Sequence, residues 1–319
     1  MNSTQNNDLP LTVVICGPTG VGKTSLAIDL ARRFEGEIIG ADSMQLYRHM
    51  DIGTAKPTPG EQAAVTHHMV DIVDPDDHFD AEMYAGMAYT TVLTLTGKGI
   101  LPFIVGGTGL YIKALIHGLF ESLKIDTGIR KRLKKEAEAR GGPHLHARLK
   151  TVDPAAAARI HANDTYRIVR ALEIYETTGR RMSDTQQLHQ FKPQRLQAIK
   201  IGLHMEREEL YQRIDQRVDQ MISGGLASEV QGLVADGYGF DLPAMSGVGY
   251  GQFAPYLSGE ATLDEVADDV KRATRRFVRQ QANWFRQDDD RIHWFEVRPD
   301  TYPAILDLIR NFVTPLRPA

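Results

Sequence analysis

One cysteine in 319 residues, Cys16, leaves no intrachain disulfide to hold this chain together. It sits inside an apolar, strand-like run, so it reads as a small buried residue in a protein of a reducing, cytoplasmic setting. Long apolar runs are missing as well. None approaches the roughly 20 residues that a bilayer-spanning helix needs, so no membrane partner is expected. The opening MNSTQNNDLP lacks the basic-then-apolar pattern of a secretory signal and reads as a polar tail. There is no internal repeat, no low-complexity tract and no large excess of one charge. A net charge of −4 excludes a protein coated in basic residues.

Charge is nonetheless uneven. Lys124 to Lys150 holds nine Lys/Arg against three Asp/Glu, and Lys271 to Arg286 holds six against none. Two local basic segments on a mildly acidic chain suit a polyanion met at particular surfaces.

The first 120 or so residues alternate short apolar runs with helical patterns. Leu11–Cys16, Glu37–Ala41 and Leu101–Val105 read as strands, with SLAIDLARRF and AEMYAGMAYTTVLTLTGKG as helices between them. Such alternation predicts an α/β fold, a parallel sheet with helices on both faces. From about Leu123 the strand signals vanish, and IRKRLKKEAEAR, LHARLK, PAAAARI and DTYRIVRALEIYETTG read as short helices. A strand pattern returns at Gln197–Leu203, followed by a helical run with stops at Gly225 or Gly237. The expected organisation is a core of residues 1–122 and 200–319, with C-terminal helices, interrupted by a helical insertion domain at 123–199.

Gly17-Pro18-Thr19-Gly20-Val21-Gly22-Lys23-Thr24 fits G-x-x-x-x-G-K-[ST] and lies between a strand and a helix, as a P-loop must. Glycines let successive backbone N–H groups curl around phosphate oxygens. Lys23 adds a point charge, the following helix aims its dipole at the anion, and the Thr24 hydroxyl suits Mg²⁺. No strand ends in a clear Walker-B aspartate and there is no N-K-x-D, which argues against motors and GTPases.

Ligands of a doubly wound sheet sit beyond the carboxyl ends of its strands. Asp42 follows the second strand there and could take a proton from a nucleophile. Thr108 follows the third, after Gly106-Gly107, and could donate to a leaving oxygen. Each also has a plain structural role open to it, as a helix cap or, for Asp42, an outer partner of Mg²⁺. His67-His68 with Asp71 and Asp74 reads as a structural helix or loop rather than a metal site.

GPTGVGKTSLAIDL, ADSMQLYRHMDIGTAKP, HHMVDIVDP and GGTGLYIKAL, in this order, resemble the tRNA dimethylallyltransferase (tRNA isopentenyltransferase) family. The likeness continues through DPAAAARIHANDTYRIVRALEIYETTG and ELYQRIDQRVDQMISGGLASEV and covers most of the chain. It implies a P-loop NTPase-like fold in which Gly17–Thr24 hold the diphosphate of dimethylallyl diphosphate, with Mg²⁺ on Thr24 and Arg217 near the same group. The acceptor would be N6 of adenosine 37 in the tRNA anticodon stem-loop, giving N6-isopentenyladenosine and pyrophosphate. Asp42 would be the base, and Thr108 would stand near the bridging oxygen. Asp42-Ser43-Met44-Gln45 and Thr108 would grip the flipped adenine. Tyr166-Arg167-Ile168-Val169-Arg170 and Arg130 would be further tRNA contacts, and the protein a monomer.

Two stretches depart from the family pattern. Ser246-Gly247-Val248-Gly249-Tyr250-Gly251 lacks the two basic residues expected around its Gly-Tyr, and TRRFVRQQANWFR has Arg279 for a lysine, Gln280 for an arginine and Asn283 for a threonine. Arg272, Arg275 and Arg276 are the nearby candidates to supply the missing charge. Other readings remain open: a P-loop kinase for a small metabolite, prenyl transfer to a free adenine nucleotide, or a non-catalytic nucleotide-binding module. The basic insertion and YRIVR favour tRNA.

Overall fold

The computed structural model describes residues 9–119, 127–184, 194–298 and 300–314. Its strands are β1 Leu11–Cys16, β2 Gly36–Gly40, β3 His67–His68, β4 Leu101–Gly106, β5 Gln197–His204 and β6 His293–Glu296. They form one sheet in the order β3-β2-β4-β1-β5-β6, and every pairing is parallel. β1 lies centrally, with Cys16 opposite Gly106 on one side and Gly202 on the other. Its side chains alternate between two apolar clusters, Val13 and Ile15 in one, Val14 and Cys16 in the other. A strand covered on both faces is what the unbroken apolar run LTVVIC requires. Burial pushes the Cys16 thiol up to about 12, so it stays protonated and inert.

Helix α1, Lys23–Arg33, buries Ala27, Leu30 and Ala31 with Val13 and Ile15. α2 is Pro59–Ala64, and α3, Ala81–Gly97, packs Tyr84, Ala88 and Val92 with Val14 on the other face. Asp80 starts α3 by accepting from the N–H groups of Glu82 and Met83, both at 3.0 Å. α4, Gly109–His117, stacks Tyr111 on Tyr84 with ring centroids 4.2 Å apart.

The second strand lies one residue earlier than the sequence suggested. His67-His68, expected in a helix or loop, is instead the sheet-edge strand β3. A two-residue strand carries no alternation to read. His68 Nε2 is 2.6 Å from Glu37 Oε2, while Asp71 pairs with Lys56 and Asp74 with Arg48.

His117 to Gln194 form a compact unit of their own: α5 Thr127–Arg140, α6 Gly142–Val152, α7 Pro154–Arg159 and α8 Thr165–Thr178. Leu133, Leu145, Leu149, Ile168 and Leu172 make its core. The buried Asp153 caps α7 through Ala156 N–H at 3.0 Å and takes the Ser183 hydroxyl at 2.6 Å.

The rest of the chain forms the other unit, and the Arg195 N–H donates to the Ile116 carbonyl at 2.8 Å where the chain rejoins it. Among the described residues the α-helices that follow are α9 Arg207–Ser223, α10 Leu226–Ala235, α11 Ala254–Leu257, α12 Leu263–Gln281 and α13 Thr301–Val313. The helical run after β5 is broken at Gly224-Gly225, where Gly225 takes a φ of 100°. Thr262 and Glu265 cap α12 reciprocally, and Lys271–Asp219 (2.6 Å) and Arg275–Asp215 bind it to α9. No described helix is long and apolar enough to cross a membrane.

Candidate active site

The chain leaves β1 at Gly17, where φ is 142° and a Cβ would lie 2.5 Å from the Leu203 carbonyl oxygen. Only glycine fits. Val21 turns into the core, and α1 begins at Lys23 with no side-chain cap, leaving its first amides for an anion. Lys23 Nζ donates to the carbonyls of Gly17 at 3.1 Å and Pro18 at 2.8 Å. Burial lowers its pKa to about 8, opposed by Asp42 and reinforced by Arg217. Thr19, expected among the diphosphate donors, gives its N–H to Gln281 Oε1 at 2.9 Å instead.

Two strand-end loops are zipped together beside this cradle. The Ala41 N–H donates to the Val105 carbonyl at 2.7 Å, and the Thr108 N–H to the Ala41 carbonyl at 3.1 Å. Thr108 Oγ1 accepts from the Ser43 N–H at 3.0 Å and donates to Ser43 Oγ at 3.3 Å. Asp42 Oδ1 accepts from the Met44 N–H at 2.9 Å, which orients the carboxylate. Gln45 Nε2 holds the carbonyls of Thr54 and Ala55, at 3.1 and 3.0 Å.

Two cavities meet at Asp42. A polar one of about 300 Å³ is lined by Lys23, Thr24, Arg213 and Arg217. An apolar one of about 310 Å³ is lined by Met44, Val218, Met221, Val248 and Phe277. Thr19, Gly20, Asp42, Thr54 and Arg217 belong to the walls of both. Burial lowers the Arg217 pKa while Asp42 and Glu61 raise it, and an arginine stays charged. The uncharged stretch Ser246–Gly249 therefore has a place in the site, as wall of the apolar cavity. Of the nearby arginines, Arg272 is paired with Asp269 and Arg275 with Asp215.

Two residues given no part in the chemistry by the sequence, His67 and Glu229, bear on these walls. His67 lines the polar cavity with Nδ1 2.8 Å from the Val65 carbonyl; burial lowers its pKa, so it is neutral at pH 7. Glu229 accepts the N–H groups of Asp51 (3.0 Å), Ile52 (2.7 Å) and Gly53 (3.2 Å) and the Tyr250 hydroxyl (2.6 Å). It thereby ties the loop bearing Gly53 and Thr54 to the loop bearing Val248. Glu229→Gln turns an acceptor into a donor facing donors and is expected to cost about 2 kcal/mol. Calorimetry checks this: an unchanged melting midpoint would mean the loops hold themselves.

In the helical unit, Glu173 is 1% exposed and takes Arg130 through both carboxylate oxygens, at 2.9 and 3.0 Å, and Arg170 at 3.0 Å. Tyr166 is 78% exposed, and Arg167 pairs loosely with Asp164 at 3.3 Å. Ile168 and Val169, expected among the tRNA contacts, are buried in the unit's core, so their side chains have no surface to offer.

The family model for IPP transferase matches residues 45–288, and that for isopentenyl transferase residues 11–76. The tRNA dimethylallyltransferase of Desulfosudis oleivorans is 50% identical over 283 residues, 89% of this chain and 90% of that protein. The chain belongs to the tRNA dimethylallyltransferase family. The family protein of Syntrophobacter fumaroxidans is 48% identical over 95% of this chain and 88% of its own length. The tRNA isopentenylpyrophosphate transferase of Bacillus halodurans, 39% identical, superposes with a TM-score of 0.69 over 96% of each chain. A eukaryotic dimethylallyltransferase solved acting on tRNA is 26% identical with a TM-score of 0.78, over 96% of this chain and 80% of that one. The six-stranded parallel sheet is thus the P-loop NTPase-like fold of this family.

Transfer from a diphosphate, the chemistry of this family's name, is compatible with a divalent metal. Mg²⁺ takes one or two protein oxygens besides phosphates and water. The Thr24 hydroxyl in the polar cavity is a hard donor of that class.

Proposed function

We propose that this protein transfers the dimethylallyl group from dimethylallyl diphosphate to N6 of adenosine 37 in tRNA, in the cytoplasm, releasing pyrophosphate. The meeting of a polar and an apolar cavity at one carboxylate, Asp42, carries the reading. On this proposal the polar cavity takes the diphosphate. The first amides of α1, Lys23 and Arg217 face it, and Thr24 would hold a Mg²⁺ ion, which would supply further neutralisation of charge there. The apolar cavity takes the prenyl chain and the flipped base.

The exocyclic amine of adenine is a weak nucleophile because its lone pair is delocalised into the ring. Its nitrogen bonds to C1 of the allyl group as the C1–oxygen bond breaks. The N6 proton passes to Asp42, and the bonding pair leaves with pyrophosphate. Lys23 turns from the carbonyls of Gly17 and Pro18 to the leaving group, whose growing charge it meets. Thr108, at the N-terminus of α4, would stand near the bridging oxygen and donate to it the hydrogen bond it now gives Ser43 Oγ, keeping its proton. Ser43, Met44 and Gln45 would hold the base.

The helical unit would bind the anticodon stem-loop with Tyr166, Arg167, Arg170 and Arg130. An exposed aromatic beside arginines is the pairing that holds unstacked RNA. Tyr166→Ala is expected to weaken tRNA binding about tenfold and leave the rate at saturating tRNA unchanged; unchanged binding would remove Tyr166 from the interface.

Incubation with dimethylallyl diphosphate, Mg²⁺ and unmodified tRNA should yield one adenosine heavier by a single prenyl group, read by mass spectrometry of the digested RNA. Prenylation of free adenine nucleotides with tRNA left untouched would overturn the proposal.

A further inference from the structure

The P-loop and the loop that carries Thr108 are neighbours at the carboxyl edge of the sheet, yet among the described residues no backbone hydrogen bond outside the strand ladder joins residues 17–22 to residues 107–109. One side chain spans the gap. Gln281, the last residue of α12, is 4% exposed. Its Oε1 accepts the Thr19 N–H at 2.9 Å, and its Nε2 donates to the Gly107 carbonyl at 3.1 Å.

We infer that Gln281 is a positioning residue of the transfer reaction, a crossbar that fixes the spacing between the phosphate cradle and the Thr108 loop. The inference rests on the activity proposed above. A side-chain amide is the group that offers one acceptor and one donor side by side. A glutamate would set an oxygen against the Gly107 carbonyl, and an aliphatic chain would leave the part-buried Thr19 N–H and the buried Gly107 carbonyl unpaired. The approach is close: a Cβ on Gly107 would lie 2.2 Å from Gln281 Nε2.

The bar also has a fixed anchor. α12 is bound to α9 through Lys271–Asp219 and Arg275–Asp215, and α9 carries Arg217, the cation shared by both cavities. One helix thus sets the register of the P-loop, the Thr108 loop and Arg217. Gln281 need touch neither substrate. It acts by keeping the leaving group's two flanks at reacting distance, where an error near 1 Å is costly.

The test is a double-mutant cycle on Gln281→Ala and Gly107→Ala. Each breaks the crossbar, one by truncation and the other by a methyl placed on Nε2. Single-turnover rates at saturating dimethylallyl diphosphate and tRNA should fall about a hundredfold in either variant. The double variant should be no slower than the singles, because the shared contact can be lost once. Pyrophosphate affinity should fall in all three, with tRNA affinity unchanged.

Multiplying defects, or a wild-type single-turnover rate in Gln281→Ala, would overturn the crossbar. So would weakened tRNA binding with an undisturbed rate at saturation, which would make Gln281 an RNA contact. Gly107→Ala, which keeps Gln281, probes the same contact should the Gln281 variant not fold. If wild-type protein transfers no prenyl group, the assigned activity fails instead, and pyrophosphate affinity across the cycle still decides the spacing role.

Discussion

Asp42→Asn is expected to slow single-turnover prenyl transfer by about a thousandfold while tRNA binding is unchanged. The substitution is nearly isosteric, and the asparagine Oδ1 can still accept the Met44 N–H that orients residue 42 at 2.9 Å. The loop therefore survives, together with its bonds to Thr108. What goes, on the proposed function, is the ability to take the adenine proton as the amine becomes bonded to carbon. The amine of adenine is so little basic that this proton has to leave during bond formation or just after it. Retained single-turnover rates in Asp42→Asn would show that another group or bulk water removes the proton, and would reduce Asp42 to an orienting contact for the base.

The second large effect belongs to Lys23. Replacement by methionine should lower the transfer rate by roughly 100- to 1000-fold, since on the proposed function it deletes the charge that would turn to the developing pyrophosphate inside a cavity. A pH signature accompanies it. In the free protein, burial has brought the ammonium down from the ordinary lysine value to about 8. A bound dianionic or trianionic ligand raises that value, because it favours the protonated form. Below pH 8 the charge is already present and this residue adds no pH dependence to binding. Above pH 8 binding must recruit a proton, and affinity should fall by up to about tenfold for each pH unit until the pKa of the complex is passed. Pyrophosphate titrates in the same region, so the comparison is with Lys23→Arg, whose guanidinium keeps its proton throughout. Calorimetric titrations from pH 7 to 9.5 should show a steeper loss in wild type than in Lys23→Arg. Parallel curves would mean that Lys23 holds its proton well above 8.

The parts of this site that could be read from the sequence are those built by short, contiguous stretches. Gly17–Thr24 carries its own punctuation, a strand before it and a helix after it. Asp42 and Thr108 stand out because each follows an apolar run at a strand end, a position that a doubly wound sheet reserves for ligands. The runs LTVVIC and LPFIV became β1 and β4 with an error of one residue at most, since a strand buried on both faces leaves an unbroken apolar signature. Arg217 came from resemblance alone, because an arginine on a helix face looks the same whether it meets a phosphate or water.

What escaped notice is joined across long stretches of chain. Gln281 and Thr19 are 262 residues apart, and Glu229 and Asp51 are 178 apart. No local pattern announces that a glutamine at a helix end will meet a loop from the other end of the sequence. Nor does a glutamate in LASEV betray that three amides and a tyrosine will close on it. The edge strands β3 and β6 failed for another reason. At two and four residues, with histidines and a glutamate among them, they show neither alternation nor an apolar run. In TYRIVR a contiguous stretch does not show its phase: helical periodicity turns Ile168 and Val169 inward while Tyr166 stays out.

The hydrogen bond from Arg195 to Ile116 closes the base of the 117–194 excursion at two adjacent points. A segment that leaves and returns at neighbouring residues can be swapped, extended or trimmed as a whole while the strands of the other unit keep their partners. On the function proposed above, changes in RNA contact by residues 117–194 can then accumulate in one part of the gene, apart from the part that encodes Gly17–Thr24, Asp42 and Thr108.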